Sequence, residues 1–464
     1  MLRPRLLRPL VLLTALVGTL ALTTMPPALA STVDGKADAT WQTNGNVFAT
    51  VQYQTATYGT VLIIGGDFTS IRTTPKGTAG QTYAANNLAA IQMSTGQFLL
   101  SFRPAVVESD FTPSNKGGVQ ALALVGDTLY VGGQFTSIDG AAHYNIAALD
   151  LDPSTMTEAV DPTFNATVGI PGASNAKTFF VYKILPGTSG LYVGGAFSKV
   201  DGHGVTKIAL LNWDGSYNNT FHPTKVNGAV RDMVWSTDGA TIFVAGAFSA
   251  FDCTNPSPIP APYSGCGQSI VRINPTDGTR DAWSIPLGGI QVGGPSAPHF
   301  GMICWSLVAT STRLFAGCGM TPNYAAAFRL DNGNSGDLVW RYGTPGNVQA
   351  IAMAADGQSL LIGGHFGTYL TMSVCSGKYM KNLGLLHNIF GSAPTTDCSF
   401  LPQFWGPDPF GGVWEIQVTA SQIWAGGMFA MVNCNMTSAH PGQPASVGCP
   451  NGVGQRGIVR FSSP

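Results

Sequence analysis

The sequence predicts an all-β protein: a seven-bladed β-propeller of four-stranded antiparallel blades, closed by an N-terminal strand that completes the last blade. Three observations lead there. An apolar strand ending in two small residues, usually Gly-Gly and then most often x-Phe, recurs seven times along 464 residues, and a long repeated strand unit means a solenoid, array or propeller. Turn residues are dense, with 58 Gly and 30 Pro. Short Val/Ile/Leu/Phe runs lie between them, and no long amphipathic helical pattern intervenes.

The seven copies are Leu62–Ile71, Leu129–Gly140, Leu191–Gly202, Ile242–Cys253, Leu314–Met320, Leu360–Gly367 and Ile423–Cys434. Each sits in a longer unit. An apolar strand precedes it, as in Val119–Gly126, the run from Val230, Val348–Gly357 and Val413–Ser421; the intervening turn is short and often Asp-Gly, a hairpin signal. A third strand follows, in the forms NLAAIQM, NIAALDL, KIALLNW, SIVRINP, AAAFRLD, LGLLHNI and RGIVRFS. An outer fourth segment carries an aromatic: Phe102, Phe164, Phe221, Trp283, Trp340, and Phe404 or Trp405. Four antiparallel strands repeated radially make propeller blades. The seventh unit ends on its third strand, and Trp41 precedes the first unit in a fourth-strand context, so the N-terminal strand is expected to complete the last blade.

The Gly-Gly strand lies mid-blade with sheets on both faces, hence its continuous apolarity. Its small residues admit a neighbouring backbone or large side chain. The Phe that follows (Phe68, Phe135, Phe197, Phe248, Phe366, Phe429) is expected to wedge between blades. The fifth copy has Gly317-Cys318-Gly319 and no Phe, and a Cys304–Cys318 bridge would substitute for the lost packing.

The units LYVGGxFTxxDG, with their IAxLN-like strand and x-F-x-P segment, resemble the delta-60 repeat β-propellers of secreted bacterial proteins. More loosely they resemble the propeller of fungal cortical polarity-marker proteins. The resemblance covers residues 40–464. It implies the architecture; it carries no catalytic signature.

Charged residues are sparse, 10% of the chain, with a formal net charge of −1. No basic patch points to nucleic acid. Arg3, Arg5 and Arg8, the apolar run Leu10–Leu22 and the Ala28-Leu29-Ala30 site read as a signal peptide over residues 1–30. Residues 31–464 then form one propeller domain, secreted, with retention on the cell wall an open alternative; no second long apolar run suggests a transmembrane segment. The 8 Cys all fall in the C-terminal half, and an exported chain meets an oxidising compartment. Cys253 and Cys266 flank one insertion and Cys434 and Cys449 an analogous one, a hairpin around Ser311 would set Cys304 opposite Cys318, and Cys375 and Cys398 are left to pair.

Candidate ligand-binding residues follow from the topology. Loops joining second to third and fourth to first strands share one face, and Asp139, His143, Asp201 and His203 lie there; Asp232 and Glu415 stand out on inner strands. The competing reading makes Asp-Gly turn chemistry and leaves the His solvated. Asp139, Asp201 and Asp252 recur without the dense ligand series of known calcium motifs, so no cofactor is expected, calcium being the alternative. No G-x-S-x-G elbow or H-E-x-x-H occurs. The sequence therefore reads as a binding module for an extracellular protein or a cell-wall glycan. The alternative is an extracellular glycoside hydrolase, lyase or oxidase using the central channel.

Overall fold

The computed structural model describes residues 33, 35–38 and 40–462 apart from 74–78, 109–116, 171–178, 253–268, 286–301, 321, 334–335, 367–372, 376–377, 407–410, 435–448 and 450–451. The expected signal peptide and both long second-to-third loop insertions lie outside the described residues. Those residues contain strands and no helix, arranged as a β-propeller.

Among the described residues each Gly-Gly copy is the second strand of a consecutive antiparallel meander, and there are seven such sheets. The first runs Asn46–Thr55, Gly59–Asp67, Leu88–Gln92 and Gln97–Phe98. The inner strands of the other six are Gly118–Val125, Phe180–Pro186, Val230–Trp235, Ile303–Ala309, Val348–Met353 and Val413–Val418. Each inner strand touches the next, and Val413–Val418 touches Asn46–Thr55.

The repeat has a measurable packing logic. A side chain on the first residue of the Gly-Gly pair would collide with the inner-strand Val of the following sheet: Gly132 faces Val181, Gly194 faces Val230, Gly363 faces Val413, and Gly426 faces Val47. A side chain on the second residue would strike a carbonyl of its own inner strand, as Gly195 would at Phe180. The Phe then enters the cluster shared with the preceding sheet. Phe135 packs with Tyr53, Leu88 and Phe102 of the first sheet, and Phe429 with Leu361 and Leu383 of the sixth. Phe68 joins Trp424 and Ile458, residues of the last sheet. Between the fourth and fifth sheets, where Phe is missing, the predicted Cys304–Cys318 bridge is present inside the shared cluster, both residues fully buried.

Three expectations are corrected. The third sheet has three strands: the Tyr217 N–H goes to the Asp201 carboxylate (3.0 Å) and Asn218 begins a turn by accepting from Thr220 N–H (3.0 Å), so only a single bridge, Leu211 to Tyr217, stands where a fourth strand was expected. In the sixth sheet the outer strand is Thr395–Thr396, with Phe400 buried behind it. Phe404–Trp405 instead pairs with Met431–Val432, in the connector to the seventh sheet. At the N-terminus, Asp38 N–H donates to the Arg460 carbonyl (2.8 Å) and its carboxylate accepts from Arg460 Nε (2.7 Å). Trp41, however, turns to the first sheet, its N–H on the Gly96 carbonyl and its ring 6.0 Å from Phe98. The regular strand Gln42–Thr43 pairs with Ser70–Arg72.

Cys434–Cys449 is also bridged as expected, and Cys398 is disulfide-bonded. The Cys253–Cys266 pair and the Cys375 side chain lie outside the described residues.

Candidate functional site

The site arises from a repeated irregularity. In each of the seven inner strands the register with the second strand slips by one residue near the strand's start. Such a bulge adds one unpaired residue, bends the strand and re-aims a side chain. The extra residues are Phe48, Gln120, Tyr182, Arg231, Trp305, Gln349 and Trp414, and all seven line one cavity of about 160 Å³ in the channel. The residue before each is buried against the neighbouring sheet: Val in six strands, Cys304 in the fifth. The packing position is thus nearly constant while the channel position varies in chemistry. Because the bulges lie where the inner strands begin, the cavity occupies the end of the channel shared with the second-to-third loops.

The wall is aromatic and polar at once. Phe48 and Trp414 meet edge to face with centroids 5.8 Å apart, and the Arg231 guanidinium lies 3.9 Å above the Tyr182 ring. Asp232 and Glu415, singled out from sequence, both line the cavity, joined by Lys183, Thr50 and Ser306. Lys183 Nζ is 2.7 Å from Asp232 Oδ1, with 35% of its side chain accessible. Asp232 also accepts from Leu307 N–H (2.7 Å) and Met233 N–H (2.9 Å), so both its oxygens are engaged. Enclosure opposes the charge on Lys183, but the Asp232 carboxylate outweighs it and holds the amine above its ordinary value. Glu415 accepts from Thr50 Oγ1 (3.0 Å). Desolvation pushes its carboxyl up to about 7, against the opposing pull of Lys183 and the Thr50 hydrogen bond.

Three enclosed polar atoms of this wall have no hydrogen-bond partner: Arg231 Nε, Gln349 Oε1 and Trp414 Nε1. Gln349 is only 6% exposed. Buried polar atoms are normally satisfied, so unsatisfied ones need an explanation.

The loop residues predicted from sequence go elsewhere, and none lines the cavity. Asp139 adopts a positive φ of 47° and Asp201 one of 48°, the left-handed geometry that short polar residues tolerate in turns. Asp139 accepts from Ala105 N–H (2.7 Å), while Asp201 accepts from Thr167 N–H (2.8 Å) and Tyr217 N–H (3.0 Å). They tie the hairpin after the second strand to the connector entering the same sheet, and Asp201 also holds the segment after the third strand. His143 is buried at 9% exposure, which lowers its pKa, and His203 stacks on Tyr217 at 5.0 Å. Among the described residues no group of three or more His, Cys, Asp or Glu could hold a metal ion.

A Ser-His-Asp array does occur outside the channel. His387 stands 2.8 Å from Ser359 Oγ and 3.1 Å from Asp397 Oδ2. Ser359 is 2% exposed and already donates its hydroxyl proton to Asp356 (2.7 Å), so it is a turn fastening and not a nucleophile.

Sequence reasoning missed Lys183, Arg231 and the aromatic ring. The available signal was the constant Val on the inner strand followed by a residue that changes from unit to unit.

No protein-family model and no curated protein sequence matches this chain. Among solved structures it is similar to U3-55K, at 10% identity and a TM-score of 0.47 over 94% of this chain and 99% of that one. It is also similar to the β-propeller domain of Myceliophteria thermophila Cps50 (Swd1), at 10% identity and 0.44 over 92% and 100%. Sqt1 from Chaetomium thermophilum gives 12% identity and 0.41 over 92% and 90%. At these values the architecture rests on the strand order described above.

Proposed function

We propose that the chain is a secreted, seven-bladed propeller of the delta-60 repeat type that binds an extracellular glycan in its central cavity. Supporting the closed ring are the contact between the first and last inner strands and the Phe68–Trp424–Ile458 cluster across that seam. The N-terminal segment adds an edge to the last sheet through Asp38, and Asn433 Oδ1 accepts from Ala37 N–H (2.8 Å). Support for secretion comes from the leader-like residues 1–30 and the buried disulfides; no described helix is long and apolar enough to cross a membrane.

The observation that carries the binding reading is the bulge layer, which turns one residue per sheet into a common cavity. Aromatic faces suit the C–H faces of sugars, and the Gln120 and Gln349 amides suit their hydroxyls. Ligand sites combine an apolar lining with a few convergent polar groups in this way. Asp139, His143, Asp201 and His203 fit better as fastenings and packed groups than as ligand contacts. Co-sedimentation of the purified protein with isolated cell wall and insoluble polysaccharides tests the proposal. Retention lost in Trp305→Ala and Trp414→Ala supports it; retention unchanged by both refutes a channel site.

One observation favours the enzymatic alternative. Glu415, its carboxyl pushed up to about 7, shares the cavity with Asp232, and a pair of carboxyl groups is what glycoside hydrolysis uses. Release of reducing ends from a bound glycan, abolished by Glu415→Gln, would select this reading; binding without product release selects the module.

A further inference from the structure

One charged side chain of the cavity lacks a partner. Asp232 is committed to Lys183 and to two backbone N–H groups, and Glu415 to Thr50. Arg231 is left: among the described residues no hydrogen bond or ion pair engages its guanidinium, which lies over the Tyr182 ring with Nε enclosed and unsatisfied. A stacked guanidinium keeps its in-plane N–H fork free, and that fork matches a carboxylate in bidentate geometry. Elsewhere on the same wall, Gln349 carries an unused acceptor and Trp414 an unused donor. A carboxylate on the Arg231 fork would give that charge the partner it lacks. The cavity, about 160 Å³, takes on the order of ten water-sized groups, the size of one sugar ring.

We propose that the channel selects an acidic sugar residue, a uronic acid at the end of or within a glycan, with its carboxylate on Arg231 and its ring against the tryptophans. This inference rests on the glycan-binding reading and adds the charge that the ligand must carry. It predicts discrimination by a single functional group, because a hydrogen-bonded charge left unpaired in an enclosed site is costly.

Isothermal titration of the purified chain with an oligogalacturonide and with its carboxyl-reduced galactose counterpart tests it. The expected result is a preference of about ten- to a hundredfold for the acid. Arg231→Gln should bring the acid's affinity down to that of the neutral sugar, so that the preference is lost. Arg231→Lys should retain part of the preference, and Trp414→Ala should weaken both ligands together. Circular dichroism and thermal midpoints establish that each variant is folded, and Gln349→Ala, two sheets further round the wall, gives an independent loss for both sugars if Arg231→Gln does not fold. Equal affinity for acid and neutral sugar overturns the acidic-sugar inference and leaves glycan binding standing, as does an Arg231→Gln protein that still discriminates. Binding of neither sugar, nor of any glycan in the co-sedimentation series, overturns both.

Discussion

The loop hairpins and the channel wall use the same polar residue types to opposite ends. In the hairpins Asp139 and Asp201 spend their carboxylates on backbone N–H groups of the connectors. Asn145 likewise donates to the Val168 carbonyl (2.6 Å) and accepts from Phe135 N–H (3.1 Å). These residues recur at equivalent positions from sheet to sheet. On the channel wall the residues change at every bulge, and three polar atoms are left over. A polar residue repeated in register with the fold therefore serves the fold, whereas one that departs from the register at a position the scaffold already exposes is free for a ligand.

Substitution on the two sides should separate stability from binding. The largest stability effect is expected at the wedges: Phe135→Ala removes a ring that is 1% exposed and should cost about 3–5 kcal/mol, read from the shift in denaturation midpoint. Trp305→Ala on the channel wall should cost about 1 kcal/mol or less while removing glycan retention. A wall variant that unfolds the protein as severely as the wedge variant would erase the distinction.

The fifth unit gives the next effect. It lacks the wedge and carries Cys304–Cys318 in its place. Replacing both with Ala should cost about 3 kcal/mol by the loop it releases, against little change if the buried apolar contact alone were sufficient. The readout is the midpoint difference between the variant and the parent, both measured without reductant.

The repeat was legible because every unit needs the same three things at fixed offsets: a small pair facing a neighbour's Val, a wedge, and a turn. The cavity was legible only in part. Asp232 and Glu415 stood out as the rare inner-strand carboxylates, but a bulge adds no residue type of its own, so the ring of Phe48, Tyr182, Trp305 and Trp414 could not be distinguished from core aromatics. The outer edge was least legible. Thr395–Thr396 carries no aromatic, and Phe404 lies on a connector strand that borrows the hairpin of the next sheet. Asn87, Asn145 and Asn382, all at positive φ just before third strands, look like ordinary turn residues; their side-chain bonds to connector carbonyls give them their role.

A smaller stability effect should come from the hairpin fastenings. Asp201→Ala strands the N–H groups of Thr167 and Tyr217 and should cost about 1–3 kcal/mol. Amide exchange should quicken at those two residues, with glycan retention unaltered. Lost retention in this variant would return the loop face to candidacy as the binding surface.

The smallest and most specific effect is that of pH on the wall. Glu415 faces Thr50 of the neighbouring inner strand and shares the cavity with Lys183, Asp232 and Arg231, with no His among the lining groups. Its carboxyl is raised from 4.5 to about 7, so the folded chain holds this proton more tightly than the unfolded chain. The stability it contributes is complete below about pH 4.5 and is lost as pH rises through 7. Glu415→Gln, which cannot ionise, should therefore raise the thermal midpoint at pH 8 and leave the difference near zero at pH 4.5. The same ionisation bears on the ligand. Above pH 7 the cavity gains a negative charge, and an acidic sugar should bind severalfold more weakly at pH 8 than at pH 6, with a neutral sugar unaffected. In Glu415→Gln that pH dependence should vanish while the preference for the acid persists, because the preference belongs to Arg231 and only its modulation to Glu415. If the pH dependence survived in Glu415→Gln, the titrating group would lie elsewhere and the wall would not carry the switch.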